Sequence, residues 1–335
     1  MVDLRSDTVT RPSPGMRRAM HDAEVGDDVF GDDPTVERLQ AVAAERLGFE
    51  AGLFCPSGTQ SNLVALMTHC QRGDEVIVGQ DAHTYRFEAG GAAVLGSIQP
   101  QPIENAPGGS LPLEKIEAAI KPDDAHFART RLLALENTLS GKVVPLDYCR
   151  AATMFAHECG LATHLDGARL FNAAVGLGVS PASVAAGFDS VSLCLSKGLG
   201  APVGTVLLGT ADFIARARRP RKMLGGGMRQ AGVLAAAGLY ALEHNVNRLA
   251  DDHANAQRLA QGLARIGGLA VVPARTNMVF VTIDATHCEP LARFLRSRGV
   301  LARVTPVTRL VTHLDVDAAG IERALTAFQD YFKLG

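Results

Sequence analysis

Two residues suited to holding a cofactor follow apolar runs in the middle of the chain. Asp166 ends the run 164–166 and Lys197 ends the run 195–197. Because ligands in α/β proteins bind at the carboxyl ends of strands, an Asp and a Lys on separate strands can face one bound molecule. A lysine amine can hold a carbonyl group as a Schiff base. We therefore predict that Lys197 holds a cofactor carbonyl and that Asp166 tunes the same cofactor. The alternative is a lysine in a surface loop.

A Ser-Gly-Thr turn between a predicted strand and a predicted helix offers a site for an anion. It consists of Ser57, Gly58 and Thr59 and lies between the apolar run 52–54 and the helical pattern 60–70. The free N–H groups and the positive dipole end of such a helix favour phosphate binding. The turn lacks the lysine spacing of a P-loop, which argues against a nucleoside triphosphate site. The same residues are also typical of an ordinary helix N-cap.

Side chains from three other parts of the chain are candidates for the same site. His83 follows the predicted strand 75–78, where its ring can stack on a planar ligand, and a structural role is the alternative. Arg309 lies among apolar residues, where its guanidinium either binds a carboxylate or lies at a strand edge. The arm 1–33 is polar and has little core of its own, so it offers residues such as Ser6 to a site that it covers.

The segment that contains Arg216–Lys222 is the most strongly basic part of the chain, and it permits three interpretations. It is a solvated helix face, or it supplies Lys222 or the later Arg229 to a bound phosphate, or it forms a patch for a polyanion. The run is short and lacks interleaved aromatic residues. The third interpretation is therefore the weakest, and we predict no nucleic-acid partner.

The composition is that of an ordinary globular enzyme. Of 335 residues, 47% are hydrophobic and 20% are charged, and the formal net charge is −2. Such a balance creates no general field for nucleic acid or an anionic membrane. The six cysteines show no C-x-x-C spacing, which favours a reducing compartment. The first residues lack the apolar core of a signal peptide, and the most apolar helical stretch is too short for a bilayer, so we expect a cytoplasmic protein.

The order of predicted elements indicates how these residues are positioned. After the arm 1–33, strands alternate with helices through 34–245, which predicts a mainly parallel sheet with helices on both faces. From 246 to 335 we predict a smaller α+β domain, because its strands are short and follow a different rhythm. This arrangement brings the strand ends at Asp166 and Lys197 to one edge.

Taken together, the candidate residues match the requirements of one cofactor, pyridoxal phosphate. It requires a lysine for its aldehyde, a phosphate-binding turn, an acidic partner for the pyridine nitrogen and a stacking group. Lys197, the Ser-Gly-Thr turn, Asp166 and His83 supply these four requirements. A carboxylate beside the pyridine nitrogen keeps it protonated, which makes the ring an electron sink. Arg309 would then bind the carboxylate of an amino acid substrate.

The chain also resembles the low-specificity L-threonine aldolases along almost its whole length. The blocks that carry the resemblance are DLRSDTVTRP, VGDDVFGDDPTV, PSGTQSNL, HFARTRLLALENT, HLDGARLFNA, SLCLSKGLGAPVG, RKMLGGGMRQAG and RLVTHLD. The resemblance implies the fold of the fold-type-I, aspartate aminotransferase-like enzymes, with a mainly parallel seven-stranded sheet. It also implies cleavage of L-threonine or L-allo-threonine to glycine and acetaldehyde, and a homotetramer built from dimers. We assign no residue to a metal site.

The resemblance further implies a role for each matched residue. Those that would contact the cofactor are Lys197 at its aldehyde, Asp166 at its pyridine nitrogen, Arg169 near its phenolic oxygen, Ser57, Gly58 and Thr59 at its phosphate, and His83 on its ring. Those that would contact the substrate are Ser6, Arg169 and Arg309 at the carboxylate and His126 beside the hydroxyl. Lys222 and Arg229 would reach the cofactor of the neighbouring subunit across the dimer interface.

Two positions depart from the family's usual pattern. The turn after the predicted strand at Glu136 reads ENTLSGKV, with Leu139 where the family usually has His, and Phe30 stands where Tyr is frequent. Both changes remove polar groups near the expected site, so they bear on substrate preference.

The residues leave open which bond of the substrate is broken. We expect a base to remove the proton of the substrate's β-hydroxyl while the Cα–Cβ bond breaks, and His83 and His126 are the candidates for that base. Another fold-type-I lyase, such as a phenylserine aldolase or a β-eliminating lyase, is the nearest alternative, followed by an aminotransferase. A non-catalytic binding protein that keeps the fold is the alternative from another class.

Overall fold

The computed structural model describes residues 1–334, which contain twelve β-strands, fourteen α-helices and one turn of 3₁₀ helix at Asp7–Val9. The strands are β1 (Val2–Asp3), β2 (Ala51–Cys55), β3 (Glu75–Gly79), β4 (Gln99–Ile103), β5 (Thr130–Glu136), β6 (Ala162–Gly167), β7 (Ser190–Cys194), β8 (Thr205–Gly209), β9 (Ala270–Val272), β10 (Met278–Thr282), β11 (Val300–Leu301) and β12 (Val307–Val311). The helices are α1 (Pro14–His21), α2 (Pro34–Leu47), α3 (Gly58–His69), α4 (His83–Arg86), α5 (Gly91–Val94), α6 (Leu113–Ala119), α7 (Leu146–Glu158), α8 (Leu170–Leu177), α9 (Pro181–Ala185), α10 (Ala211–Met223), α11 (Gly232–His244), α12 (Leu249–Leu263), α13 (Ala285–Ser297) and α14 (Ala318–Leu334).

A seven-stranded sheet forms the centre of the molecule, which confirms the predicted fold class. Its strand order is β2-β8-β7-β6-β5-β3-β4. Neighbours from β7 to β4 run parallel, and β8 is antiparallel to both β7 and β2. Because β5, β6 and β7 are parallel and adjacent, their carboxyl ends meet at one edge. That edge carries the predicted cofactor site.

Helix α2 shows how local sequence sets the boundaries of an element. The side chain of Asp33 accepts a hydrogen bond from the Val36 N–H, and Pro34 occupies the first helical position. Gly48 ends the helix in the left-handed conformation, with φ of 77°. An acceptor at the N-cap, proline at the start and glycine at the end are the residues that these positions favour.

The first residues of the arm join the smaller C-terminal unit. β1 pairs in parallel with β11, and Val2 and Leu4 are buried in the same apolar cluster as Val300 and Phe328. The rest of this unit is the antiparallel sheet β12-β10-β9, packed with helices α12 to α14. The arm therefore lies over the smaller unit, which brings the 3₁₀ turn beside the carboxyl edge of the central sheet. The domain limits 34–245 and 246–335 stay a prediction.

Several elements of the structure were not predicted, among them β4 and α1. β4 contains Pro100 and Pro102, and it lies at the edge of the central sheet, where a strand tolerates residues without an N–H group. α1 lies within the arm and packs against α11, where Tyr240 contacts Gly15. Within residues 1–334, no helix combines the length and the apolar character needed to cross a bilayer.

Candidate active site

A cavity of about 180 Å³ lies at the carboxyl edge of the central sheet. It brings together five of the predicted site residues, contributed by four separate parts of the chain. Those five are Gly58, Thr59, His83, Asp166 and Lys197, and the remaining lining residues are Asn62, Ala168, Ser192, Cys194, Ser196 and Thr205.

The register of the sheet places three polar residues side by side at the floor of the site. Asp166 pairs with Glu136 of β5 on one side and with Ser192 of β7 on the other. Side chains at paired positions of neighbouring strands point to the same face of the sheet. Asp166 is buried, and it accepts hydrogen bonds from the Asn62 amide at 2.9 Å and the Ala168 N–H at 3.0 Å. These two donors hold the carboxylate in place at the end of β6.

Lys197 lies on a turn three residues after the end of β7. The Gly200 N–H donates to the Lys197 carbonyl at 2.9 Å, and Gly200 has φ of 79°. The Thr10 hydroxyl of the arm donates to the same carbonyl at 3.0 Å. The turn and the arm therefore hold the backbone of Lys197 from two sides, which directs its amine to the cavity.

The Ser-Gly-Thr turn begins helix α3, as the sequence predicts. The Ser57 hydroxyl is the N-cap and accepts the Gln60 N–H at 3.2 Å, while Gly58 and Thr59 form the first turn and line the cavity. The Thr205 hydroxyl of β8 is buried beside Gly58 and has no hydrogen-bond partner among residues 1–334. A bound group with oxygen acceptors fits this position, since a buried hydroxyl without a partner is unfavourable.

His83 is held by two carboxyl groups at the rim of the cavity. Its Nδ1 lies 2.9 Å from Glu88 Oε1, and its backbone N–H donates to Glu136 at 2.8 Å. The hydrogen bond to Glu88 raises the pKa of the His83 ring above its ordinary value, against its partial burial. Burial and the charge of Asp166 raise the pKa of Glu136 to about 8. The Glu136 carboxyl therefore favours its neutral form next to Asp166.

Arg169 forms a buried ion pair with Asp7 of the arm. The contact is bidentate, with Nε to Oδ2 at 2.8 Å and the second nitrogen to Oδ1 at 2.6 Å, and the Asn277 amide also donates to Asp7 at 3.1 Å. Burial alone would raise the pKa of Asp7, but the charge and hydrogen bonds of Arg169 lower it to about 2. Arg309 has no ion-pair partner among residues 1–334. Desolvation and the positive charge of Arg169 lower the pKa of Arg309.

Comparison with known proteins identifies the family. Residues 3–286 match the Beta-eliminating lyase family. The chain is 58% identical over 316 residues to the low specificity L-threonine aldolase of Escherichia coli (strain K12). The aligned region covers 94% of this chain and 95% of that protein. The chain is 45% identical over 344 residues to a probable low-specificity L-threonine aldolase 2 of Arabidopsis thaliana, which covers 99% and 97%.

This chain belongs to the low-specificity L-threonine aldolase family. The resemblance inferred from the sequence is thereby confirmed. Its fold is that of a threonine aldolase from Leishmania major, with a TM-score of 0.85 at 21% identity over 99% of this chain and 100% of the other. It is also that of a putative L-allo-threonine aldolase from Listeria monocytogenes, with a TM-score of 0.81 at 22% identity over 98% and 96%.

Several residues with predicted roles in this aldolase-family chain lie outside the cavity of a single protomer. The His126 side chain is 87% exposed on the loop before β5 and bonds to Asp124 at 2.6 Å. Lys222 is exposed near the end of α10. Arg229 is exposed and pairs with Asp27 at 3.2 Å. Their predicted roles depend on contacts beyond one protomer and stay predictions.

Ser6 and the two positions that depart from the family pattern have defined places. Ser6 is the N-cap of the 3₁₀ turn, directly before Asp7, so its hydroxyl is engaged with Thr8. Phe30 is 77% exposed in a turn of the arm. Leu139 is buried next to the site and lines a small void together with Glu136. The aldolase family's usual histidine is thus replaced here by an apolar side chain beside the Glu136 carboxyl.

Reasoning from the sequence missed two polar residues in and beside the candidate site, Asn62 and Glu88. Asn62 lies on α3 within the block PSGTQSNL, five residues after Ser57, and a polar side chain in an apolar helix face is the signal that indicates it. Glu88 lies five residues after His83, and no spacing rule points to it. Asp7 lies in the polar arm 1–33, but its pairing with Arg169 joins distant parts of the chain and is visible only in the fold.

Proposed function

We propose that this protein binds pyridoxal 5'-phosphate and cleaves L-threonine, L-allo-threonine and related β-hydroxy-α-amino acids, reversibly, to glycine and acetaldehyde or the corresponding aldehyde. One observation carries the proposal beyond family membership. The cavity surrounds a single space with the lysine Lys197, the buried carboxylate Asp166 and the helix N-terminus at Gly58 and Thr59. These are the groups that a pyridoxal phosphate site requires.

The residues of the cavity fit this cofactor. Lys197 would hold its carbonyl, and Asp166 would bind its pyridine nitrogen, because both line one cavity and Asp166 is kept as an acceptor by two N–H donors. The buried Thr205 hydroxyl and the first turn of α3 would bind its phosphate. When bound, the cofactor supplies an electron sink for the bond that breaks at the substrate's Cα.

The chain's own side chains supply the proton transfer. His83 lines the cavity with its Nδ1 engaged by Glu88, so Nε2 is the ring nitrogen available to accept a proton from a substrate hydroxyl. Its raised pKa favours that role near neutral pH. His126 is the second candidate, and it needs a contact from outside this protomer because its side chain is 87% exposed.

Arg309 supports a binding site for the substrate carboxylate. Arg169 already uses two nitrogens on Asp7, whereas Arg309 has no ion-pair partner among residues 1–334. The two guanidinium groups are close enough for Arg169 to lower the pKa of Arg309. A substrate carboxylate between them would relieve this repulsion and gain charge-assisted hydrogen bonds. Ser6, which was also predicted to contact the substrate carboxylate, is next to Asp7 on the N-terminal arm.

We propose that the protein acts as a homotetramer made of two dimers, with active sites at the dimer interface. Large exposed apolar side chains support this. Phe87 is 63% exposed, and its ring centroid lies 5.7 Å from that of His83; Met223, next to Lys222, is 70% exposed. A second copy that covers these side chains would bring Lys222 and Arg229 to a neighbouring site. We place the enzyme in the cytoplasm, where it breaks down threonine and supplies glycine.

Incubation of the purified protein and pyridoxal phosphate with L-threonine tests the function. We expect glycine and acetaldehyde in equal amounts, and neither product from Lys197→Ala. L-phenylserine in a parallel reaction measures the range of β-hydroxy amino acids through the benzaldehyde formed. Ammonia and a keto acid from L-threonine would instead support a β-eliminating lyase, the activity for which the matched family is named. No product from either substrate would refute the proposal. Light scattering during gel filtration measures the mass of the assembly.

A further inference from the structure

Glu88 connects two side chains that line the cavity, His83 and Asn62, although it does not line the cavity itself. It is buried, and its Oε1 lies 2.9 Å from Nδ1 of His83 and 2.9 Å from Nδ2 of Asn62. An ionised carboxylate only accepts hydrogen bonds. Burial raises the pKa of Glu88, and the hydrogen bonds of His83 and Asn62 oppose that effect. Beside the ionised carboxylate, the ring nitrogen of His83 that faces Glu88 carries the hydrogen, and Nε2 has no hydrogen-bond partner among residues 1–334.

The amide of Asn62 holds Glu88 and Asp166 at the same time. Its Nδ2 donates to Glu88 at 2.9 Å and to Asp166 at 2.9 Å. An amide NH₂ has two hydrogens, so both are used. A ring nitrogen of His83 and carboxylate oxygens of Glu88 and Asp166 lie within 4.8 Å of one another. The N–H groups of His83 and Asn62 donate to these oxygens, so hydrogen bonds explain why the three side chains lie together.

A buried row of neutral groups sets the direction of the Asn62 amide. Its Oδ1 lies 3.2 Å from His164 Nε2, and His164 Nδ1 lies 2.8 Å from the Ser190 hydroxyl, which lies 2.8 Å from His69 Nε2. Burial lowers the pKa of His164 and of His69 to about 3, so both rings are neutral. With the amide NH₂ turned to the carboxylates, each ring donates through Nε2 and the Ser190 hydroxyl donates to His164. The Asn62 oxygen, both ring nitrogens of His164 and the Ser190 hydroxyl then each have a partner.

We propose that Glu88 and Asn62 are positioning residues of this site. Glu88 holds His83 as the tautomer with its hydrogen on Nδ1, and Asn62 anchors Glu88 and Asp166 on one amide. The role of the free Nε2 in proton transfer rests on the proposed aldolase function, whereas the tautomer itself does not. The charged or titratable groups near His83 are Glu88, Asp166, Lys197 and Glu136. Glu88 is the one bonded to its ring.

Nuclear magnetic resonance of protein labelled with ¹⁵N-histidine tests the tautomer directly. The chain has 10 histidines, and the signals of His83 are assigned by their loss in His83→Gln. Spectra are recorded on the full chain before and after addition of pyridoxal phosphate. We expect the neutral His83 ring to carry its hydrogen on Nδ1 in the wild-type protein. A hydrogen on Nε2 would overturn the proposal without any variant.

Three variants separate charge from geometry. Glu88→Gln keeps the size and the acceptor oxygen, so the tautomer should persist while the His83 pKa falls by about one unit or more, because an opposite charge at this distance is lost. Glu88→Ala should also release the tautomer. Asn62→Ala should leave a His83 tautomer held by Glu88 but raise the dissociation constant of pyridoxal phosphate about tenfold or more, since Asp166 loses a donor. Glu104→Gln, at an exposed pair with Lys115, is the control and should change none of these.

The outcomes distinguish this inference from the proposed function. An unchanged tautomer and pKa of His83 in both Glu88 variants would overturn it, and Glu88 would then be purely structural. The expected shifts in a protein that does not cleave L-threonine would refute the aldolase function but retain the positioning role. In an active enzyme, the acidic limb of the pH profile of kcat/KM should move to lower pH in Glu88→Gln by the same shift as the His83 pKa.

Discussion

The buried ion pair between Asp7 and Arg169 makes a quantitative prediction about how the arm is attached. Asp7 is fully buried, and its pKa is lowered from 3.8 to about 2. A difference of 3.8 − 2 = 1.8 units corresponds to about 2 kcal/mol of stability in favour of the ionised form. Asp7→Asn removes that contribution and also leaves the Arg169 guanidinium without its counter-charge. Loss of one partner of a buried pair costs about 3–5 kcal/mol. We therefore expect a loss between about 2 and 5 kcal/mol.

The pH dependence of this loss has a definite sign. Because the folded pKa of Asp7 lies below its unfolded value, its contribution is fully present above about pH 4. It decreases as the pH falls from 3.8 through about 2. The difference in stability between wild type and Asp7→Asn should therefore be the same at pH 5 and at pH 7.5. A difference that changes between these two values would implicate a histidine instead.

Urea unfolding at fixed protein concentration measures this prediction, with the free energy of unfolding taken from the midpoint and the slope of the transition. Asp3→Asn is the matched control, since Asp3 lies on the same arm and pairs with the half-exposed Arg5 at 2.6 Å. Exposed pairs contribute about 0–1 kcal/mol, so the control should unfold near the wild-type midpoint. Equal midpoints for Asp7→Asn and Asp3→Asn would refute the argument that the buried pair anchors the arm.

Four further predictions concern the site and its supporting turn. Asp166→Asn should raise the dissociation constant of pyridoxal phosphate by about 10–100-fold, measured by fluorescence titration, and lower kcat by a larger factor. His83→Ala or His126→Ala should lower kcat for L-threonine by about 10²–10⁴-fold if that ring is the base, and normal rates in both single variants and the double variant would exclude both. Arg309→Lys should raise KM for L-threonine by about 10–100-fold, because an ammonium group does not replace the bidentate fork, and an unchanged KM would place the carboxylate elsewhere. Gly200→Ala should destabilise the protein by more than about 1–2 kcal/mol, because φ is 79° and the new Cβ would lie 2.5 Å from Leu314. Gly225→Ala is the control, because its φ is 77° and no heavy atom lies within 4 Å of the new Cβ. It should show only the cost of the left-handed backbone conformation, and thermal unfolding of both variants measures the difference.

Elements with strong local signals could be predicted closely, and those without them could not. Helix α2 runs from Pro34 to Leu47, the bounds that its cap residues Asp33 and Gly48 indicate. The edge strand β4 was missed, because its two prolines oppose a strand assignment and only its place at the sheet edge makes them acceptable. Helix α1 was missed because its sequence is polar, and packing against α11 supports it.

The site divides in the same way between local and long-range information. The sequence by itself determined the family, the alternation that produces the parallel sheet, and the strand ends that carry Asp166 and Lys197, because these depend on residue type and order along the chain. The tertiary structure decided that Arg169 is paired with Asp7, 162 residues away in sequence, and that Asn62 joins Asp166 to Glu88. Such pairings depend on the register of the sheet and on where the arm lies. Periodicity and spacing contain no information about them, since the contacts form only when distant segments fold against each other.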